Sequence, residues 1–534
     1  MEKNGLKLAD LSQRGRSLVW LILTMAWLTS TTTYAIGNLD AVAIGLTLFN
    51  ATTTNINGNG VRVAQAEGGV GGNPLAVEVT PGLVGQPMSL FTYYTSSGST
   101  NNFPNNLGAD SPHADDVASY FYGTNGVATN VMHVDNYEAG FFYNSVASLT
   151  VTNVRVVNQS FNFGSLTIAQ QQSVDSDYDD SAAKYNTLFV SGIGNGGPVN
   201  APATSYNGIG VGAYHGGSST GPTADNGRAK PDIVARADAT SYSTPQVSGA
   251  AALLMQAGLR GDGGSDITSA ADIRTTKALL LNGAVKPADW AHTNASPLDA
   301  RYGAGVLNVF NSYKQLAGGK HSYIATTSVS VGNPHPPTAA AGNVSSFSGW
   351  DFNTNSSSAS QDGINHYYFN LTNSASNTTF TVTATLAWNR QMNQTAINDL
   401  DLYLYEMSSG NLIAASTSAV DNVEHIFLTK LPAGRYDLQV LKNGGNTGKR
   451  VTLTETYALA FEFSALPLNI TPAGNTVVIT WPIYPTGFVL ESTASLNSSV
   501  TWSAVNIAVV MTNNQNRVVL NSSTGTQFFR LRRP

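Results

Sequence analysis

The sequence predicts an α/β domain built on a mostly parallel sheet flanked by helices, followed by all-β accessory domains of β-sandwich type. Three observations carry this. Between about residue 58 and residue 318, short apolar runs alternate with longer patterns rich in Ala and Leu, the rhythm of strands buried on both faces and covered by helices. After Gly318 the texture turns to Ser, Gly, Pro and Ala, and beyond about residue 359 a period-2 alternation sets in, as in a sandwich. The chain has 534 residues, and single cores stop growing at roughly 250 to 300 residues, so several domains are required.

Taken in order, the chain begins with Lys3, Lys7, Arg14 and Arg16 ahead of a mostly apolar run at 18–28, and Thr33-Tyr34-Ala35 then offers small residues for cleavage. Residues 1–35 therefore read as a secretory signal cut after Ala35, the apolar run falling well below the ~20 residues needed to cross a bilayer. Residues 36–318 form the α/β domain, with strands expected at 61–66, 154–157, 188–191 and 209–213. Helices are expected at 115–122, 181–186, 245–257 and 270–281. Residues 319–358 read as a linker. In 359–465, alternation at 379–388, 401–405 and 436–441, separated by Gly and Asn turn signals, marks the sandwich. Residues 466–534 read as a small all-β module with strands at 476–481, 487–492 and 527–531.

Charge narrows the partners. Lys and Arg number 27 against 33 Asp and Glu, a net charge of −6 without long runs of one sign, so there is no surface for a polyanion and nucleic acid is excluded. Only 11% of residues are charged where about 25% is usual, so Ser, Thr, Asn and Gln must wet the surface. The chain has no Cys, which removes disulfides, thiol nucleophiles and cysteine-bound metals. The expectation is an exported monomer, extracellular or periplasmic, free of the membrane once the signal is cut.

The residues with most chemistry are Ala239-Thr240-Ser241-Tyr242-Ser243-Thr244-Pro245-Gln246-Val247-Ser248-Gly249, followed by an Ala-rich helix. Pro suits an early helical position, so Ser241 should sit just before or at the helix N-terminus. Backbone N–H groups there can stabilise an oxyanion, and Val247, Ala250, Ala251 and Leu254 form an apolar stripe that anchors the element. Taken alone, the same residues also suit a Ser/Thr helix cap.

This segment resembles the nucleophile motif G-T-S-x-x-x-P-x-V-x-G of the subtilisin-like serine proteases (subtilases, peptidase S8 type), with Ala239 in place of the first Gly. Gly221-Pro222, Lys230-Pro231-Asp232-Ile233-Val234-Ala235 and Gly303-Ala304-Gly305-Val306-Leu307-Asn308 resemble further family segments, and the resemblance covers roughly residues 58 to 315. It implies a subtilisin-like fold and an endopeptidase that cleaves polypeptides through an acyl-enzyme, with Ser241 as nucleophile. His113, in Ser111-Pro112-His113-Ala114-Asp115-Asp116-Val117-Ala118, corresponds to the general acid and base. Asn195, in Gly192-Ile193-Gly194-Asn195-Gly196-Gly197, corresponds to the oxyanion donor. The segment 153–164 resembles the strand that pairs with extended substrate, which makes Ser160, Phe161, Asn162, Gly192 and Gly194 substrate-binding candidates.

The third triad position departs from the family. Gly58-Asn59-Gly60-Val61-Arg62-Val63-Ala64-Gln65-Ala66-Glu67 resembles the segment that ends in the triad Asp, but the carboxylate is Glu67. Its extra methylene moves the charge by about 1.5 Å, one C–C bond. The order carboxylate, His, Ser is that of subtilisin. Two alternatives stand beside this reading. One is a binding protein on a subtilase scaffold whose catalysis ended with Glu67 and Ala239. The other is a sedolisin-type Ser/Glu enzyme, whose Glu would lie on a helix at the place of His113.

No cofactor is required, although structural calcium is compatible with the accessory domain. Asp399 and Asp401, two apart and so on one strand face, are weak metal candidates and read more readily as a solvent-facing strand end. Asp175, Asp177, Asp179 and Asp180 fail the EF-hand pattern, having Asp180 where Gly is needed and Asn186 where Glu is needed, and read as an acidic lead-in to a helix at Ser181.

Overall fold

The structure, a computed structural model, describes residues 39–69, 71–372, 379–446, 448–465, 468–482, 488–495, 501–512, 515–521 and 526–532. The signal segment expected at 1–35 lies outside the described residues. Among those described, no helix is long and apolar enough to cross a membrane.

Strands β1 (Arg62–Glu67), β2 (Phe91–Thr95), β3 (Gly98–Thr100), β4 (His133–Glu138), β5 (Val156–Gln159), β6 (Leu188–Gly192), β7 (Ile209–Ala213) and β8 (Ile233–Ala235) make one sheet in the order β8-β7-β6-β5-β1-β4-β2-β3. Every neighbouring pair is parallel except the edge pair β2-β3. Val63, Ala64, Val156, Val157, Val190 and Val211 are fully buried, as strands covered on both faces demand. The covering helices are α1 (Leu46–Thr52), α2 (Pro112–Phe121), α3 (Ala139–Ala147), α4 (Ile168–Tyr185), α5 (Thr240–Arg260), α6 (Ile267–Ala270), α7 (Ile273–Asn282) and α8 (Val309–Ala317). Helix α5 packs on β5, β6, β7 and α2, and every residue from Ser243 to Gly258 is buried. That all-round burial is why its sequence is rich in Ala rather than sharply amphipathic.

Two sequence expectations change here. The helix expected at 181–186 begins at Ile168, where Thr167 and Gln170 form a complete capping box. The acidic run is thus inside α4 and is not a lead-in to it. Asp175 and Asp179, four apart and on one face, are buried. Asp175 accepts from Thr204 Oγ1 at 2.6 Å and pairs with Arg228 at 3.2 Å. Asp179 accepts from the Asn207 N–H at 2.8 Å and lies 3.1 Å from Arg390.

The second change concerns 319–358, read as linker. It holds β9 (Ala325–Ser330) and β10 (Ser348–Ser356), both built into the sandwich that follows. With β11 (Gln361–Leu371), β12 (Phe380–Trp388), β13 (Leu400–Glu406), β14 (Leu412–Ser416), β15 (Val423–Leu431), β16 (Gly434–Lys442) and β17 (Thr454–Ala465), they form sheets ordered β9-β11-β16-β13-β14 and β10-β17-β12-β15. Polar strands with few large apolar residues look like linker locally, and only their partners make them strands.

The sandwich is docked on the α/β domain through both apolar and polar contacts. Trp350, Ala387, Val423, Ala458 and Ala460 belong to the same buried cluster as the α/β core. Asn282, the last residue of α7, accepts from Thr383 Oγ1 at 2.8 Å and Thr385 Oγ1 at 2.9 Å. The terminal module is two small sheets, with Thr476–Pro482, Val489–Thr493 and Phe528–Arg532 among their strands, around Ile479, Trp481, Leu490 and Val518.

Candidate active site

Strands β6, β5 and β1 are adjacent, and the chain order reverses at β1, so their carboxyl ends open the crevice in which α/β sheets bind ligands. Glu67 is the last residue of β1, Ser160 follows β5, and Gly192 closes β6. The sequence-predicted residues therefore converge on one edge of the sheet.

His113 lies in the first turn of α2. Pro112 opens that helix, and the Ser111 side chain accepts from the Ala114 N–H at 3.3 Å, so the Ser-Pro-His sequence itself places the imidazole. His113 Nδ1 is 2.8 Å from Glu67 Oε2. The other carboxylate oxygen accepts from Gln65 Nε2 at 2.7 Å. Gln65 also donates to the Ala114 carbonyl at 2.9 Å and accepts from Tyr122 OH at 2.7 Å. Glu67 is 1% exposed, and each oxygen has a fixed partner. Sequence reading missed Gln65; its spacing of two from Glu67 on a strand, which puts both on one face, was the available signal.

Burial alone would push the His113 imidazole down. The charge of Glu67, its hydrogen bond and the nearby Asp116 more than offset this and leave the ring's pKa above the usual 6.5. Asp116 accepts from Tyr242 OH at 3.4 Å, and Tyr242 stacks on Tyr120 with ring centroids 5.5 Å apart. His113 Nε2 is buried and makes no hydrogen bond among the described residues, so its contact with Ser241 Oγ is not closed. Contacts of this type commonly tighten only when substrate is held.

Ser241 is the second residue of α5, at the end where a helix's first N–H groups lack regular intrahelical partners; the Tyr242 and Ser243 N–H groups turn to the Ala239 carbonyl at 3.1 and 3.2 Å. Ala239, the residue before the helix, has φ −142°. That is extended backbone which any residue adopts, so a Cβ here requires no left-handed conformation. No side chain from its own segment caps α5. Asn195 does so from the neighbouring loop: its Oδ1 accepts from the Thr240 N–H at 2.7 Å and Thr240 Oγ1 at 2.9 Å. With the amide oxygen held inward, Nδ2 is left as the outward donor on an exposed residue.

The substrate-binding candidates divide. Phe161 is 4% exposed and its side chain packs edge-on against Phe163 in the core. Asn162, between them, is half-buried, and its Oδ1 accepts from the Gly164 N–H at 2.9 Å. Ser160 Oγ donates to the Ser241 carbonyl at 2.9 Å. A Cβ on Gly192 would stand 3.1 Å from Thr244 Oγ1, and one on Gly194, at φ +109°, would meet Ser219 Oγ at 2.7 Å. Gly192 thus lets this loop approach α5 closely, and Gly194 lets it approach Ser219.

The weak metal pair reads differently in space. Asp399 and Asp401 are buried rather than solvent-facing. Lys449 Nζ lies 3.0 Å from Asp399, and Asp401 Oδ2 accepts from Asn443 Nδ2 at 2.9 Å and Tyr403 OH at 3.2 Å. Lys449 supplies one counter-charge to this buried pair of carboxylates. Among the described residues no group of three or more His, Asp or Glu is placed to hold a metal.

Residues 126–305 match the family model described as the subtilase family, Peptidase_S8. The resemblance to subtilisin-like proteases is therefore shown over a stretch that includes Asn195 and Ser241 and begins after Glu67 and His113. No curated protein matches the chain. Among solved structures it is similar to the prenylagaramide maturation protease PagA, at 20% identity and TM-score 0.34, covering 49% of this chain and 94% of that one. It is similar also to the PatG macrocyclase in complex with peptide, at 16% identity and TM-score 0.37, covering 53% and 100%. Tripeptidyl peptidase 2 matches at 13% identity and TM-score 0.32, covering 73% of this chain and 48% of that one.

Proposed function

We propose that this subtilase-type chain is an exported serine endopeptidase that cleaves polypeptides with a Ser241, His113 and Glu67 triad. The observation that carries the reading is the 2.8 Å contact between Glu67 Oε2 and His113 Nδ1, because it meets the one requirement that the longer acid put in question. Held there, Nδ1 keeps its proton and Nε2 is left with its lone pair as a base.

In this reading His113 Nε2 removes the Ser241 Oγ proton as Oγ bonds to the substrate carbonyl carbon. The oxygen that becomes negative is met by Asn195 Nδ2 and the Ser241 N–H at the start of α5. His113 then gives the proton to the departing amine, the C–N bond breaks, and an acyl-enzyme remains. Water, deprotonated by the same imidazole, attacks that ester and releases Ser241. No metal or other cofactor enters these steps. The sedolisin alternative is disfavoured because Glu67 ends a strand and His113 occupies the helix.

A catalytically silent binding scaffold is the second reading, favoured by the open contact at His113 Nε2. Hydrolysis of an unstructured protein by wild type and by Ser241→Ala, with covalent labelling by a fluorophosphonate, separates the two. Equal rates and no labelling of wild type would leave the scaffold alone.

A further inference from the structure

We propose that Ser160 is a positioning residue that holds the carbonyl of Ser241, so that the strand end bordering the substrate also fixes the turn that presents the nucleophile. This rests on the reading of Ser241 as nucleophile given above. Pro245 lies inside α5, four residues after Ser241. Proline has no N–H, so the hydrogen bond that a regular helix would close on the Ser241 carbonyl cannot form. Ser160 Oγ supplies the replacement at 2.9 Å.

The donor is itself directed. Asn158 Nδ2 donates to Ser160 Oγ at 3.0 Å, so the hydroxyl's single proton is free to point at Ser241. Asn158 Oδ1 in turn accepts from Ser248 Oγ at 2.9 Å. Ser248 is seven residues after Ser241, two turns along the same face of α5. Asn158 and Ser248 are fully buried and Ser160 is 5% exposed. A hydroxyl, an amide and a second hydroxyl thus fasten β5 to α5 at two points on one helical face, one of them the nucleophile's own peptide group. Because Oγ and this carbonyl share one residue, a rotation that frees the carbonyl also swings Oγ away from the imidazole.

The test compares Ser160→Ala, Ser160→Thr, Pro245→Ala and the double variant Ser160→Ala/Pro245→Ala in the full chain. The readouts are kcat and KM on a fluorogenic peptide, the rate of fluorophosphonate labelling, and urea unfolding. Ser160→Ala is expected to lower kcat by about 10², the scale of a misplacement near 1 Å, while KM changes little, as for an interaction that acts on the chemical step. Ser160→Thr, which keeps the hydroxyl, restores most of the rate. Pro245→Ala returns an N–H to the Ser241 carbonyl, so the double variant recovers about tenfold of the loss, or 1.36 kcal/mol.

A Ser160→Ala enzyme with wild-type kcat overturns the proposal, as does a loss that Pro245→Ala leaves untouched. If wild type proves as inert to the probe as Ser241→Ala, the protease reading falls separately. The unfolding cycle then decides the contact itself: the double variant must lose less stability than the two singles added together, and plain additivity overturns it.

Discussion

Glu67 brings its carboxylate to 2.8 Å from His113 Nδ1, one methylene further from its backbone than an Asp would carry it. Gln65 binds the other oxygen and the α2 backbone together, so the strand end and the helix start are matched to the longer side chain. Glu67→Gln should therefore lower kcat by on the order of 10⁴, the loss expected when the imidazole takes the wrong tautomer. Glu67→Asp falls short by about one bond length, and a loss of about 10 to 10² is expected from the misplacement. Steady-state kinetics on one peptide measures both, and an Asp variant faster than wild type would refute the matching.

The pH profile follows from the same contact. In the proposed mechanism His113 must be neutral to act, and its pKa stands above 6.5 in the folded protein, so kcat/KM should be lost as pH falls through a midpoint above 6.5. Glu67→Gln removes the charge that raises it and leaves burial, which lowers it. The acid limb of that variant should move to lower pH even as the plateau drops. An unmoved limb would mean another group controls it.

Asn195 serves two masters that one pair of variants separates. In the proposed mechanism Asn195→Ala removes the oxyanion donor, with a fall in kcat of about 10² to 10³, and it also uncaps α5, at about 1 kcal/mol of stability. Asn195→Asp keeps an acceptor for the Thr240 N–H and loses only the donor. It should match the Ala variant in lost kcat and stay closer to wild type in urea unfolding.

Asp232 is a structural member of the Lys230-Pro231-Asp232 motif. It is buried, 2.5 Å from Lys230 Nζ and 3.3 Å from Lys277 Nζ, and accepts from the Gly210 N–H at 2.6 Å. Burial pushes its carboxyl up, and the two lysines with these hydrogen bonds pull it further down, below the usual carboxylate value. A group depressed in this way stabilises the fold above its unfolded pKa and loses that contribution as pH falls through the folded one. Asp232→Asn should cost about 3 to 5 kcal/mol, because two buried lysines lose their counter-charge. Urea unfolding at neutral pH measures it, and the difference from wild type should shrink in acid.

How far the site could be read in the sequence varied with how local its causes are. The Ser-Pro start of α2 and the Thr-Ser-Tyr-Ser start of α5 are set within a few residues, so the placing of His113 and Ser241 at helix starts has a local cause in the chain. Where the Phe161 side chain packs was not legible, because a side chain's face depends on which neighbours cover it. β9 and β10 looked like linker because their strand character comes from partners more than 30 residues away in the case of Ser328 and Gly363. The acidic run of α4 looked like a lead-in because Arg228 and Arg390, which neutralise it, are remote in sequence.

By itself the sequence determined the α/β plan, the sandwich that follows and the residue types able to move a proton, because periodicity, capping and motif spacing act over short distances. The tertiary structure decided that a glutamate reaches the imidazole, that Asn195 caps α5 from another loop, and that Ser160 stands in for the N–H missing from Pro245. Those are meetings between distant segments, fixed only when strand ends and helix starts are packed into one crevice.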